Sequence, residues 1–126
     1  MKIEHIAVWS KDIEAMLHFY VEHFGCTYGV RYENSVKGFS SYFLSFESGT
    51  RLEIMQKCGL ADRAVEQSVG LAHFAVSVGS EAEVRFNTQR LQQIGVKVVG
   101  EPRWTGDGYF ESIVLDPDGN TVEITI

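Results

Sequence analysis

The chain repeats itself, and a duplicated unit restricts what it can fold into more than length or composition does. His5-Ile6-Ala7-Val8 returns 68 residues later as His73-Phe74-Ala75-Val76. Gly49-Thr50-Arg51-Leu52-Glu53-Ile54 returns 70 residues later as Gly119-Asn120-Thr121-Val122-Glu123-Ile124. A single short match could arise by chance. Two in the same order at nearly one offset indicate duplication.

The intervening segments correspond as well. In the first copy Ile13, Met16, Leu17, Tyr20, Val21 and Phe24 recur at helical spacing, with Asp12 as N-cap and Gly25 past the end. In the second, Ser80 and Glu83 form a capping box ahead of a helix carrying Val84, Leu91 and Ile94, closed by Gly95. Three strand-like runs follow each helix: about 27–32, 41–47 and 51–56, then 96–100, 110–116 and 121–126. Ser48-Gly49 and Asp116-Pro117-Asp118-Gly119 supply the last turn of each copy. The pattern is βαβββ written twice, an α+β arrangement in one domain spanning 1–126. Module one covers about 1–56, a linker about 57–69 and module two about 70–126. The linker lacks the Pro/Ser/Gly richness of a tether and is expected to pack as a loop or short helix. Residues 33–38, with Asn34, Ser35 and Lys37, read as a mobile surface loop.

Composition excludes several classes. With 44% hydrophobic and 22% charged residues the chain has the make-up of a globular protein. A formal charge of -6 repels a phosphate backbone, and no Lys/Arg stripe offsets it, so nucleic acid is not expected as a partner. No apolar run approaches the roughly 20 residues a membrane span needs, and no basic segment precedes an apolar signal stretch. Cytoplasmic residence is the expectation. Cys26 and Cys58 are too few for a disulfide framework or a CxxC zinc site, suit a reducing compartment, and read as small buried hydrophobes.

Strand parity singles out four residues. In Leu52-Glu53-Ile54 and in Val122-Glu123-Ile124 a carboxylate is flanked by apolar residues pointing the other way. The His strands split likewise: Ile6 and Val8 oppose His5, Ala7 and Trp9, while Phe74, Val76 and Val78 oppose His73, Ala75 and Ser77. If the apolar faces pack on the helices, His5, Glu53, His73 and Glu123 line the concave face. A carboxylate buried there without a partner costs several kcal/mol, so it must be protonated, paired or bound to a cation. Two carboxylates offset one divalent ion, and mixed nitrogen and oxygen donors suit Ni²⁺, Zn²⁺, Co²⁺, Fe²⁺ or Mn²⁺. Four protein donors on an octahedral ion leave two positions for substrate oxygens.

These residues resemble the vicinal oxygen chelate superfamily (glyoxalase/bleomycin resistance/dioxygenase), and within it the glyoxalase I, or lactoylglutathione lyase, enzymes. The resemblance runs over almost the whole chain. Its carriers are Ile3-Glu4-His5-Ile6-Ala7-Val8, Phe19-Tyr20 with Phe24-Gly25, Leu52-Glu53-Ile54, Leu71-Ala72-His73-Phe74-Ala75, and Asp116-Pro117-Asp118-Gly119-Asn120-Thr121-Val122-Glu123. It implies two tandem βαβββ modules forming a curved, cup-shaped mixed β-sheet, and His5, Glu53, His73 and Glu123 as metal ligands in chain order. It also implies a homodimer with sites at the subunit interface, His5 and Glu53 of one chain meeting His73 and Glu123 of the other. The residues themselves leave open whether a site lies within one chain or between two. The chemistry implied uses one divalent ion per site, Ni, Zn or Co, or else Fe or Mn. The ion chelates adjacent oxygens of the hemithioacetal of a 2-oxoaldehyde (methylglyoxal) and a thiol, and the product is a 2-hydroxyacyl thioester. Glu123 is the first candidate for the base, with Glu53 a second base or a ligand only.

The chain departs from that pattern at two positions. Glutathione-dependent members carry an Arg four residues after the first His and an Asn four residues after the first Glu; here Trp9 and Lys57 stand there. Lys57 can hold a carboxylate as a point charge, Trp9 can wall an apolar pocket, and Arg103 is a further substrate contact, with Arg31 and Arg51 as other cations. The same fold hosts other functions. An extradiol dioxygenase would use His5, His73 and Glu123 as a facial triad, leaving Glu53 superfluous. Epimerases of coenzyme A thioesters tend to carry Gln where this chain has Glu53, and fosfomycin-inactivating thiol transferases lack that carboxylate too. Bleomycin-resistance proteins bind a drug without catalysis and usually lack the full ligand set. Glu53 therefore favours the isomerase.

Overall fold

The computed structural model describes residues 1–47, 49–62 and 69–126. They form two compact units, Met1–Ala64 and Val65–Ile126. The linker expected at 57–69 and the turn at Ser48-Gly49 fall partly outside the described residues. Among those described, no helix is long and apolar enough to cross a membrane.

Unit one runs β1 (His5–Trp9), α1 (Ile13–Phe24), β2 (Thr27–Tyr28), β3 (Tyr32–Asn34), β4 (Phe39–Ser45) and β5 (Arg51–Lys57). Its sheet has the order β1-β5-β4-β2, with β3 also on β4; β1 runs parallel to β5 and the other pairs are antiparallel. Asp12 starts α1 as expected, its carboxylate accepting from the backbone N–H of Glu14 at 3.2 Å and of Ala15 at 3.0 Å. Gly25 ends it in the left-handed region at φ 67°. The helix packs on β4 and β5, burying Ile13, Met16, Leu17 and Tyr20 with Leu44, Leu52 and Ile54. Phe19, outside the expected stripe, is buried too, because its ring packs edge-on to Tyr20 and against Phe24.

Three expectations in this unit are corrected. The run 27–32 is broken at 29–31 into two short strands. Residues 33–38 form the end of β3 and a tight turn, where Asn34 Oδ1 accepts from the N–H of Lys37 and Gly38 takes φ 57°. Cys26 is buried, whereas Cys58, in the turn after β5, is exposed.

Unit two runs β6 (Phe74–Ser77), α2 (Glu81–Gln93), β7 (Val98–Trp104), β8 (Phe110–Leu115) and β9 (Thr121–Thr125), with sheet order β6-β9-β8-β7 and β6 parallel to β9. Ser80 caps α2, its hydroxyl accepting from the N–H of Glu83, but the Glu83 carboxylate turns to the Asn87 amide instead of closing the box. Val84 and Leu91 are buried as expected and Ile94 is exposed, since it caps the helix beyond its last packed turn. The third core position is Thr88, whose hydroxyl bonds the Val84 carbonyl and the Ser112 hydroxyl at 2.6 Å each; satisfied this way, a polar side chain can lie in the core. Strand β7 continues past Gly100, where the strand had been expected to end. Register shifts on either side of Gly100 absorb Glu101-Pro102 as a bulge, so Pro102 interrupts no regular ladder.

Candidate functional site

Both parallel strand pairs build the same arrangement. In unit one Ala7 registers with Glu53, which puts His5, two residues earlier on the same face, diagonally beside the carboxylate. His5 Nε2 lies 3.8 Å from Glu53 Oε2. In unit two Ala75 registers with Glu123, and His73 Nε2 lies 3.3 Å from Glu123 Oε2. Each Glu sits between two buried apolar residues that face the helix, Leu52 and Ile54 or Val122 and Ile124. The two carboxylate side chains are only 14% and 15% exposed, enough desolvation to require a cation or proton donor beside them.

The donor set suits a divalent ion. Two atoms bound about 2.1 Å from one ion at right angles lie about 3 Å apart, near the 3.3 Å of unit two and shorter than the 3.8 Å of unit one, and imidazole with carboxylate is a borderline-to-hard pair. Among the described residues no three His, Cys, Asp or Glu side chains converge on one point, so each unit offers two donors. The carboxylates are not equivalent. Burial pushes Glu123 above the usual carboxylate range; His73 opposes the shift, and the nearby Glu111 carboxylate reinforces it.

Of the substrate-contact candidates, Trp9 and Lys57 come together. Lys57 Nζ stands 4.8 Å from the centre of the Trp9 ring, and Phe39 meets that ring edge-on at 6.2 Å. Arg103 pairs with Glu111, Nη2 to Oε1 at 3.5 Å. Arg31 is held by Glu14 and Glu33. His18 is exposed on α1 with Glu22 at 3.8 Å, as its position off the apolar stripe predicts.

Several neighbours of the site were not legible as such in the sequence. Glu4 accepts from His5 Nδ1 at 2.6 Å through one oxygen, while its other oxygen takes Arg51. His5 and Arg51 hold the Glu4 carboxyl below its usual range. The Arg51 guanidinium lies 4.3 Å over the Phe43 ring, whose centre is 5.2 Å from that of His5 with the two planes at 88°. Glu111, inside the strand expected at 110–116, is a buried residue of β8 paired with Thr125. Counting outward from the Asp116-Pro117-Asp118-Gly119 turn, which sets Leu115 against Thr121, would have placed Ile113 opposite Glu123 and Glu111 diagonal to it.

The Glyoxalase/Bleomycin resistance protein/Dioxygenase superfamily matches residues 2–124 of the chain. The chain belongs to that superfamily. No curated protein matches it. Among solved structures it is similar to glyoxalase I from Zea mays, at 20% identity and a TM-score of 0.82, covering 98% of this chain and 44% of that one. The chain thus spans under half the length of the maize enzyme. The trypanothione-dependent glyoxalase I of Leishmania major is 21% identical, with a TM-score of 0.81 and coverage of 99% and 86%. A glyoxylase/bleomycin resistance protein/dioxygenase domain from Frankia sp. EAN1pec superposes at 0.86 with 18% identity, covering 100% and 97%. At these identities the superpositions establish the fold: the α+β, two-module architecture of this superfamily.

Proposed function

We propose that the protein is a glyoxalase I-like, metal-dependent lyase that isomerises the hemithioacetal of a 2-oxoaldehyde such as methylglyoxal and a thiol to a 2-hydroxyacyl thioester. The observation that carries this reading is the recurrence of one His–Glu pair at one register in both units. The first carboxylate, Glu53, is the donor that a dioxygenase triad does not need. On this reading His5 and Glu53 of one module and His73 and Glu123 of another hold one divalent ion, Ni, Zn or Co, or else Fe or Mn. The protein acts in the cytoplasm as a homodimer whose two chains share the sites. When bound, the ion would polarise two adjacent substrate oxygens and carry the negative charge that develops between them.

The rest of the chemistry belongs to the chain. Glu123 takes the proton from the carbon that bears sulfur and returns it to the neighbouring carbon, so bonds and charge balance without an external reactant. A base must be matched to the carbon acid it deprotonates, and burial raises the proton affinity of Glu123 toward that role. Glu53 holds the opposite side. Trp9 packs against the apolar part of the substrate and Lys57 takes a carboxylate of the thiol; Arg103, tethered by Glu111, is a further contact.

The test is turnover of methylglyoxal with a panel of thiols, with and without carboxylates, after loading purified protein with Ni²⁺, Zn²⁺ or Co²⁺. Activity should vanish on chelation and in His5→Ala, and Glu123→Gln should lower turnover by about 10²–10⁴-fold. Full turnover in Glu123→Gln would remove the base assignment; bound metal without isomerase activity would remove the reaction.

A further inference from the structure

The two His–Glu pairs differ in what stands behind the histidine. In unit one a closed set of contacts fixes the His5 ring. Nδ1 meets Glu4 Oε2 at 2.6 Å; Glu4 Oε1 takes Arg51 Nε at 2.7 Å and also Arg51 Nη2. Arg51 lies over Phe43, and Phe43 meets the His5 ring at right angles. The backbone strengthens the set, because Arg51 registers with His5 and its N–H bonds the Glu4 carbonyl at 3.1 Å. In unit two the duplication puts Ala72 at the place of Glu4 and Thr121 at that of Arg51, neither able to supply a carboxylate or a guanidinium. Ile113, opposite Glu123, stands where Phe43 stands opposite Glu53.

An acceptor on Nδ1 fixes the imidazole in the Nδ1–H tautomer and leaves the Nε2 lone pair toward Glu53, the state a metal ligand requires. We infer that Glu4, anchored by Arg51, is a positioning residue that holds the His5 ring with its Nε2 lone pair available to a metal ion, a device that module two lacks at the equivalent positions. This rests on the proposed role of His5 as a ligand, and it goes beyond that role by distinguishing the two modules: the histidine of module one is backed by a carboxylate on Nδ1, and the duplication gives the histidine of module two Ala72 in that place.

The full-length chain can be tested in two ways. Long-range ¹H–¹⁵N spectra of the metal-free protein, taken well above the ordinary histidine range, should show His5 in the Nδ1–H form and His73, whose Nε2 faces the Glu123 carboxylate at 3.3 Å, in the Nε2–H form. Glu4→Ala should convert His5 to a mixture, while Glu4→Gln, which keeps a carbonyl acceptor, should retain the tautomer. Competition with a chromophoric chelator should show Zn²⁺ affinity falling about 10–100-fold in Glu4→Ala and by less in Arg51→Ala. Glu4 is exposed and outside the core, so Glu4→Ala and Glu4→Gln should keep the fold. A Glu4→Ala protein whose His5 spectrum or Zn²⁺ affinity matches the parent overturns the inference. Unchanged Zn²⁺ affinity in His5→Ala is a different result: it overturns the ligand role itself.

Discussion

Cys26 and Cys58 have the same chemistry and opposite surroundings. Cys26 follows α1 and lies in the core, where burial pushes its thiol up to about 11; Cys58 sits exposed in the turn after β5. The thiolate is the nucleophile, so at pH 8 the Cys26 side chain is protonated as well as shielded. A colourless-to-coloured aryl disulfide reagent should therefore titrate one thiol per native chain at pH 8 and two in denaturant; two fast thiols in the native protein would contradict the burial of Cys26. The linkage has a definite sign. The unfolded chain releases this proton first, so the contribution of Cys26 to stability is complete below the ordinary thiol range and is lost as pH rises toward 11. Both cysteines had been expected in the core. Residue type favours burial for any free Cys, but only the position of the turn after β5 decides which one escapes it.

At the scale of elements, alternation made the sheets legible and irregularity hid their edges. Glu53 and Glu123 could be placed on the face away from the helices because period-2 patterning is local, and the structure agrees. Helix caps at Asp12 and Ser80 were legible for the same reason. Parallel register is non-local, so nothing in the sequence places Arg51 beside His5, and the clamp through Glu4 stayed hidden. The core role of Thr88 depends on Ser112, 24 residues away, which no helical stripe records. The β7 bulge is the sharpest case, since the strand was read as ending at Gly100 while in fact it continues through a bulge. Gly100 is there for space: a Cβ would come within 3.0 to 3.1 Å of the Ile113 side chain, and its backbone needs no positive φ. Gly100→Ala should thus cost about 1–3 kcal/mol through overpacking, read as a lower denaturant midpoint at unchanged slope. Gly100→Ala should cost less in an Ile113→Ala background, where Cγ1 and Cδ1 are gone. If Gly100→Ala is neutral, or costs the same in that background, the close approach is not what selects glycine.

The whole molecule is two units, each with one His–Glu pair and no third donor beside it among the described residues; on the proposed function each pair is half of a ligand set. A donor pair that recurs by duplication can be completed by the other module of the same chain or by that of a second copy, and the proposed homodimer uses the second copy. Symmetry lets the alternatives be separated without a structure of the assembly. One variant, His5→Ala with Glu53→Ala, disables the donors of module one; another, His73→Ala with Glu123→Ala, disables those of module two. Neither alone should bind metal tightly or turn over substrate. When the two are co-expressed and their chains mix at random, half of the dimers are mixed and each of those carries one site with all four donors. About a quarter of the parental metal content and turnover should then return if two chains share each site. Within one chain no pairing restores four donors, so mixing would leave both signals at zero and place each site inside a single polypeptide.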